Sequence, residues 1–194
     1  MRYDYGTAAE LLQVCEAEGL PIWKVALRRE ADEQNGSEED LLGRMRNYYA
    51  KMRDSIRLGL TIEQGSPSGL SGGDAKKLLA YSQSERPLFG SRFARAIAYG
   101  FAVLEVNAQF GRIAATPTAG SAGIVTACLL TMVEEEGLSD EEAAGALFTA
   151  AGIGVVIGEN ASFSGARGGC QAEVGSASCM AAAAVVEARG GSPR

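Results

Sequence analysis

The sequence contains no histidine, and this absence narrows the chemistry open to it. Without an imidazole, the chain by itself cannot form a Ser-His-Asp or Cys-His catalytic site, or a zinc site that requires histidine. Basic residues are also few, with 18 Lys and Arg against 24 Asp and Glu, for a net charge of −6. No basic cluster is interleaved with aromatic residues, so we expect no nucleic-acid binding.

Signals for secretion, disulfide bonding and membrane insertion are also missing. The first residues include acids and lack the continuous apolar core of a signal peptide. The four cysteines form no C-x-x-C pair. The uncharged run 113–133, 21 residues long, contains the polar, turn-forming segment 116–123, which argues against a membrane span. We therefore expect a cytoplasmic protein that makes no membrane contact.

Helix signals dominate the chain. Thr7 with Glu10, and Ser139 with Glu142, have the spacing of capping boxes at helix starts. The one β-branched cluster, 155–157, is too short to build a sheet. We predict an all-α fold, a single compact domain over 1–194 with about eight helices. These span approximately residues 7–19, 21–35, 37–60, 74–81, 91–110, 124–136, 139–157 and 174–189.

Two of these helices determine the expected arrangement of the domain. Segments 124–133 and 143–157 are apolar on all sides, which predicts that both are central and surrounded by the others. The Gly- and Ser-rich stretch 63–73 is the one candidate internal boundary, and Asp74 after it is expected to cap the next helix. Segment 158–171 has the composition of a loop.

A glycine-containing loop is the strongest candidate for binding. Residues 116–123 lead directly into an apolar helix. Small residues allow a ligand to approach the backbone, and a helix start directs free amides and a positive dipole end toward it. Thr118 and Ser121 add hydroxyl donors, so a carboxylate or phosphate would fit. The alternative is a tight helix–helix connection whose hydroxyls serve only as caps.

One cysteine occupies an unusual position. Cys170 follows two glycines just ahead of a predicted helix, where a thiolate is sterically open and favoured by the helix dipole, as suits a metal or cluster ligand. A buried, unreactive cysteine is the alternative, and it is our interpretation of Cys128. Cys15 and Cys179 are expected to pack within helices. A single cysteine does not hold a metal alone.

Several stretches together resemble the alpha subunit of iron–sulfur-dependent L-serine dehydratases. The matching segments are 68–78, 105–108, 111–113, 115–124, 159–166 and 169–177. The resemblance implies a [4Fe–4S] cluster held by three cysteines, with one open iron acting as a Lewis acid on the hydroxyl of L-serine. It implies elimination of water and release of pyruvate and ammonia.

On this resemblance Cys170 is the first cluster ligand. The expected contacts to the substrate carboxylate are Thr118, Ala119, Gly120, Ser121 and Gly123. Asn160, Ser162 and Ser164 are weaker candidates for lining the same cavity. The base that removes the α-proton is not identified, and the chemically able residues are Lys76, Lys77 and Glu159.

The sequence departs from the family pattern in two ways. The other two cluster cysteines belong to a Cys-Asp-Pro…Pro-Cys segment that would follow Arg194, and the family's beta subunit or beta domain, which completes the substrate site, has no counterpart here. We expect an incomplete alpha subunit, inactive alone and unable to hold the cluster stably. Its oligomeric state is open.

Two alternative functions are retained. One is a pyridoxal-phosphate dehydratase with Lys76 or Lys77 as the Schiff base, although such folds are α/β. The other is a non-catalytic helical module that binds a small anion.

Overall fold

Helices make up the regular structure of residues 2–194, the part of the chain that the computed structural model describes, and no strand occurs there. The predicted all-α fold is confirmed. The elements are α1 (Ala8–Glu18), α2 (Ile22–Gln34), α3 (Glu38–Gly59), α4 (Asp74–Ser82), α5 (Ser91–Ala108), α6 (Ala122–Glu136), α7 (Asp140–Asn160), α8 (Gly165–Cys170), a π-helical turn (Gln171–Gly175) and α9 (Ser176–Ala188).

Two helices begin with the predicted capping boxes. The Thr7 side chain accepts from the Glu10 amide at 3.2 Å, and the Glu10 carboxylate accepts from the Thr7 amide at 2.9 Å. Ser139 and Glu142 make the same reciprocal pair at the start of α7. Each box satisfies amides that a helix start leaves without intrahelical partners, so α1 and α7 begin where the sequence predicts.

Two other helices are capped by glutamates distant in sequence. The expected Asp74 cap is wrong, because Gly73 is the N-cap residue of α4 and makes no side-chain bond. Instead Glu105 of α5 accepts from the amides of Gly73, Asp74 and Ala75 at 3.1, 2.6 and 3.0 Å. Glu187 of α9 likewise accepts from the first two amides of α2 at 2.6 and 3.0 Å. These carboxylates join helix starts to other helices.

Helices α6 and α7 form the centre of the fold, as their apolar composition predicts. α6 packs against α3, α5, α7 and α9, and α7 packs against α2, α3, α6 and α9. Within residues 2–194, α7 is the one helix long and apolar enough to cross a membrane by length and composition. Because 56% of its apolar window is buried inside the fold, its role as a core helix explains this apolar composition.

Close helix crossings depend on glycine. A Cβ added at Gly123 in α6 would lie 2.6 Å from the carbonyl oxygen of Gly100 in α5, and one at Gly59 in α3 would lie 2.1 Å from that of Ala102. Both distances are shorter than van der Waals contact allows, so a side chain would force the helix backbones apart. Gly123, predicted to contact substrate, therefore has a packing role at the α5–α6 crossing.

The predicted loop 158–171 is largely wrong. α7 continues to Asn160, and α8 begins at Gly165. The chain bends at Gly169, whose φ of 62° and ψ of −157° favour glycine, and the helical path then resumes at Cys170 and continues into α9. The glycines that give this segment its loop-like composition allow close packing, since a Cβ at Gly168 would lie 2.8 Å from that of Ala172.

The 63–73 segment is attached to α5 at both ends. Besides the bonds from Glu105 to the start of α4, the Gln109 side-chain amide donates to the Gln64 carbonyl at 3.1 Å. The segment's role as an internal boundary stays a prediction.

Candidate functional site

The 116–123 loop presents unpaired amides at the start of α6. Ser121, the N-cap residue, makes no side-chain cap bond. Its hydroxyl donates instead to the Thr116 carbonyl at 3.3 Å, and the residue is 1% exposed. Among the hydrogen bonds of residues 2–194, none engages the amides of Ala119 or Gly120, and both residues are exposed. Together with the positive end of the α6 dipole, these amides form a surface suited to an anion.

A carboxylate from another helix approaches the same loop. The Thr118 hydroxyl donates to Oε1 of Glu173 at 2.7 Å and lies 3.0 Å from the Ser121 hydroxyl oxygen. A Cβ at Gly120 would lie 3.5 Å from Oε1, and one at Gly165 only 2.4 Å from Oε2. Gly165 therefore leaves space for the Glu173 side chain as it stands, whereas a side chain at Gly120 would make only an ordinary van der Waals contact with it.

Glu173 also connects the loop to the predicted metal ligand. It lies in the π-helical turn, three residues and about one helical turn after Cys170. The structure thus brings the predicted anion loop and Cys170 to one region. The sequence analysis did not select Glu173, although its place between Cys170 and Gly175 in a matched segment was a signal.

The weaker cavity-lining candidates divide into two groups. Ser164 is the N-cap residue of α8, directly before Gly165, and its amide donates to the Ser162 hydroxyl at 3.1 Å. Both serines therefore lie in the segment that leads to the Glu173 contact. Asn160 instead donates through its side chain to the carbonyls of Gly6 and Val156 at 2.6 and 2.8 Å, so it attaches the end of α7 to the N-terminal segment.

The three candidate bases lie in surface positions. Lys76 pairs with Glu63, and Lys77 pairs with Asp74 at 3.2 Å, all of them on or beside α4. Glu159 is exposed near the end of α7, in a cleft that it shares with residues 4–6 and Arg29. No hydrogen bond or ion pair of the described residues joins any of the three to the 116–123 loop. Their catalytic role stays a prediction.

A larger cleft lies elsewhere. It has a volume of about 550 Å³ between α2, α3 and α7, with Leu41 and Phe148 among its lining residues. None of the predicted site residues lines it. Its rim residue Tyr48 donates a hydrogen bond to the Ala115 carbonyl at 3.0 Å, next to the 116–123 loop.

Comparison with known proteins identifies the family. Residues 17–194 match the family model described as the serine dehydratase alpha chain. The chain belongs to this family. The resemblance identified from the sequence motifs is thereby confirmed.

Three relatives in the family illustrate the coverage. The chain is 43% identical over 184 residues to the probable L-serine dehydratase alpha chain of Bacillus subtilis, covering 95% of this chain and 61% of the relative. It is 38% identical over 185 residues to the L-serine dehydratase alpha chain of Peptoniphilus asaccharolyticus, covering 95% and 63%. It is 36% identical over 200 residues to an L-serine dehydratase of Streptomyces coelicolor, covering 100% and 42%. The chain thus spans less than two thirds of each relative's length.

The cysteines of this serine dehydratase alpha-family chain differ in accessibility. Cys170 and Cys179 are exposed, whereas Cys128 is partly buried and Cys15 is buried. Burial raises the pKa of the Cys128 thiol, and it raises that of Cys15 to about 11, because the apolar surroundings disfavour a thiolate. Cys170 is therefore exposed and directly precedes the turn whose Glu173 contacts the anion loop.

A cluster held by three cysteines does not fit within the described residues alone. Across residues 2–194, no three His, Cys, Asp or Glu side chains converge in a way that could hold a metal ion. The described part of this alpha-family chain provides one well-placed thiol at Cys170. Any further ligands would have to come from outside these residues.

Proposed function

We propose that this chain is the alpha component of an L-serine dehydratase, which eliminates water from L-serine. The α-proton and the β-hydroxyl leave as water, and the resulting enamine tautomerises and hydrolyses to pyruvate and ammonia. The observation that carries the proposal is the Thr118–Glu173 hydrogen bond, which holds an anion-binding loop about one helical turn from Cys170. Membership of the serine dehydratase alpha chain family and the names of the relatives support it.

The 116–123 loop is assigned to the substrate carboxylate. Because the Thr118 and Ser121 hydroxyls already donate within the protein, the donors that remain are the exposed amides of Ala119 and Gly120. Hydrogen bonds to a charged acceptor contribute about 1.5–3 kcal/mol each. The loop's task is to hold the carboxylate in place while the α-proton and the hydroxyl depart.

Cys170 is assigned as one thiolate ligand of a [4Fe–4S] cluster. Its exposure and its position after the bend at Gly169 support this role. The other ligands would come from residues outside 2–194. Cys179 is exposed too, but it lies within α9, and the resemblance gives it no role in the cluster.

A beta subunit or beta domain is the proposed partner. Large apolar side chains lie open to solvent on this chain, with Leu70 90%, Phe110 88% and Leu88 77% exposed. Contiguous exposed apolar surface is typical of regions that pack against further protein, and Leu88 adjoins the exposed Phe89, whose ring centroid lies 5.7 Å from that of the exposed Phe93. All four cysteines are free, which supports the reducing cytoplasm as the proposed location.

Paired cysteine variants test this function in the assembled enzyme. Cys170→Ser is expected to abolish bound iron and sulfide together with pyruvate formation from L-serine, whereas the equally solvent-accessible Cys179→Ser retains all three. The isolated 194-residue chain is expected to form no pyruvate. Normal iron content and turnover in Cys170→Ser would refute the ligand assignment.

Loop variants test the carboxylate site separately. Thr118→Ala and Ser121→Ala are expected to raise the KM for L-serine more than they change iron content. The reason is that both hydroxyls stabilise the loop conformation that exposes the amides. An unchanged KM for L-serine in both variants would show that the loop serves only to connect two helices.

A further inference from the structure

The carboxylate of Glu173 has no cationic partner within the part of the chain that is described. Glu173 is partly buried, and none of the ion pairs among residues 2–194 includes it. Its hydrogen bond there is from the Thr118 hydroxyl to Oε1, and none reaches Oε2. Glu173 therefore has a carboxylate oxygen available to a cationic group from outside these residues.

We propose that Glu173 binds the α-ammonium group of the amino acid substrate. This inference rests on the proposed function and adds the second half of substrate recognition. An α-amino acid carries an ammonium group and a carboxylate on the same carbon. The site offers a matching pair of opposite charges, the Glu173 carboxylate and the positive start of α6 with its exposed amides.

The neighbouring residues hold this carboxylate in position. Thr118 fixes Oε1 by its hydrogen bond, which leaves the other oxygen without a donor from the described residues. Gly165 provides the space for Oε2, since a Cβ there would approach it to 2.4 Å. Thr118 is in this sense a positioning residue, and Glu173 is the group that touches the substrate.

The contact also explains how substrate specificity could arise at this site. A hydroxy acid without an amino group offers the loop a carboxylate but leaves Glu173 unpaired next to that carboxylate. The repulsion between the two negative charges would then oppose binding. Discrimination in favour of an amino acid is the expected consequence.

The experiment compares L-serine with 3-hydroxypropionate, which is serine without its amino group, in the assembled enzyme. Glu173→Gln keeps the side-chain shape and removes the charge. It is expected to raise the KM for L-serine about 10- to 100-fold, the range for a lost hydrogen bond to a charged group. The inhibition constant of 3-hydroxypropionate is expected to stay unchanged or to fall, because the repulsion is removed.

Three further variants separate the effect of the Glu173 contact from a general effect on the structure. Thr118→Ser keeps the hydroxyl and is expected to retain the low KM, whereas Thr118→Val removes it and raises the KM. Glu141→Gln, an exposed glutamate at the start of α7, is the matched control and is expected to leave both constants unchanged. Thermal unfolding of each variant reports whether the fold is retained.

The outcomes distinguish failure of the proposed function from failure of the ammonium contact alone. An assembled wild-type enzyme that forms no pyruvate from L-serine refutes the proposed function. If the wild-type enzyme turns over L-serine, but Glu173→Gln changes the KM for L-serine and the inhibition constant of 3-hydroxypropionate equally, only the ammonium contact is refuted. Glu173 would then pair with a cation from another part of the enzyme. If Glu173→Gln does not fold, the wild-type enzyme decides, because equal affinity for 3-hydroxypropionate and L-serine overturns the inference.

Discussion

Replacing Glu105 by alanine should destabilise the fold more than any ordinary helix-cap substitution. The carboxylate is 3% exposed and accepts hydrogen bonds from three consecutive amides at the start of α4. Alanine would leave these three donors without their partner, two of them in residues that are themselves buried. The start of α4 and the 63–73 segment would then lose their attachment to α5.

The magnitude follows from the number and type of bonds lost. A single exposed cap contributes about 1 kcal/mol, and a hydrogen bond to a charged group about 1.5–3 kcal/mol. Because the three bonds share one carboxylate they do not add fully, and we expect a loss of about 3–5 kcal/mol. For a chain of this size that corresponds to a fall in Tm of roughly 6–20 °C. Glu105→Gln keeps one acceptor oxygen and should lose about half as much.

Chemical denaturation followed by circular dichroism measures the free energy of unfolding. Glu85→Ala is the control, since Glu85 is exposed between α4 and α5, and it should change that free energy by less than about 0.5 kcal/mol. If Glu105→Ala were as stable as Glu85→Ala, the α4 cap would contribute nothing and the reasoning would be refuted.

Three further predictions concern packing, thiol reactivity and pH. Gly123→Ala should destabilise the fold by about 1–3 kcal/mol in a denaturation experiment, whereas Gly100→Ala, whose added Cβ would be 3.7 Å from its nearest atom, should be tolerated. A thiol reagent at neutral pH should label the exposed Cys170 rapidly and Cys15 only on unfolding, because Cys15 is buried and a pKa of about 11 leaves it almost entirely protonated. Rapid labelling of Cys15 in the folded chain would contradict its burial. Hydrogen bonds from the amides of Gly6 and Thr7 lower the pKa of Glu10 below its ordinary 4.5, so the stabilisation is present above that value and is lost as pH falls through the folded pKa. Glu10→Gln should therefore make the free energy of unfolding depend less on pH in the acid range below 4.5.

In the sequence, the glycines of the 116–123 loop had two possible explanations, close helix packing and ligand binding, and the structure distinguishes them. Gly123 is required by the crossing of α6 over the Gly100 backbone. Gly120 is exposed, and a Cβ there would make only an ordinary contact with the Glu173 carboxylate at 3.5 Å, so packing does not require glycine at this position. Small residues at a helix start are favoured by both close packing and ligand approach, so composition alone does not distinguish them. The atoms that surround each glycine in the folded chain distinguish the two explanations.

Local signals in the sequence were sufficient to predict most of the helices. The boxes Thr7–Glu10 and Ser139–Glu142 act within one helical turn, and the all-round apolar segments predicted the central helices α6 and α7. The error over 158–171 arose because glycine lowers helix propensity, whereas here packing of the segment against Glu173 and Ala172 requires glycine.

Contacts between distant residues were decided only by the tertiary structure. Glu105, Glu173 and Glu187 each bind partners at least 30 residues away in sequence, at or beside the starts of α4, α6 and α2. In the sequence they resemble any glutamate on a helix, because nothing local distinguishes a solvated carboxylate from one that folding places against a donor of another helix start. The sequence by itself determined the all-α class, most of the helices and the family. The packing of the helices decided which glutamate contacts the start of α4, α6 or α2.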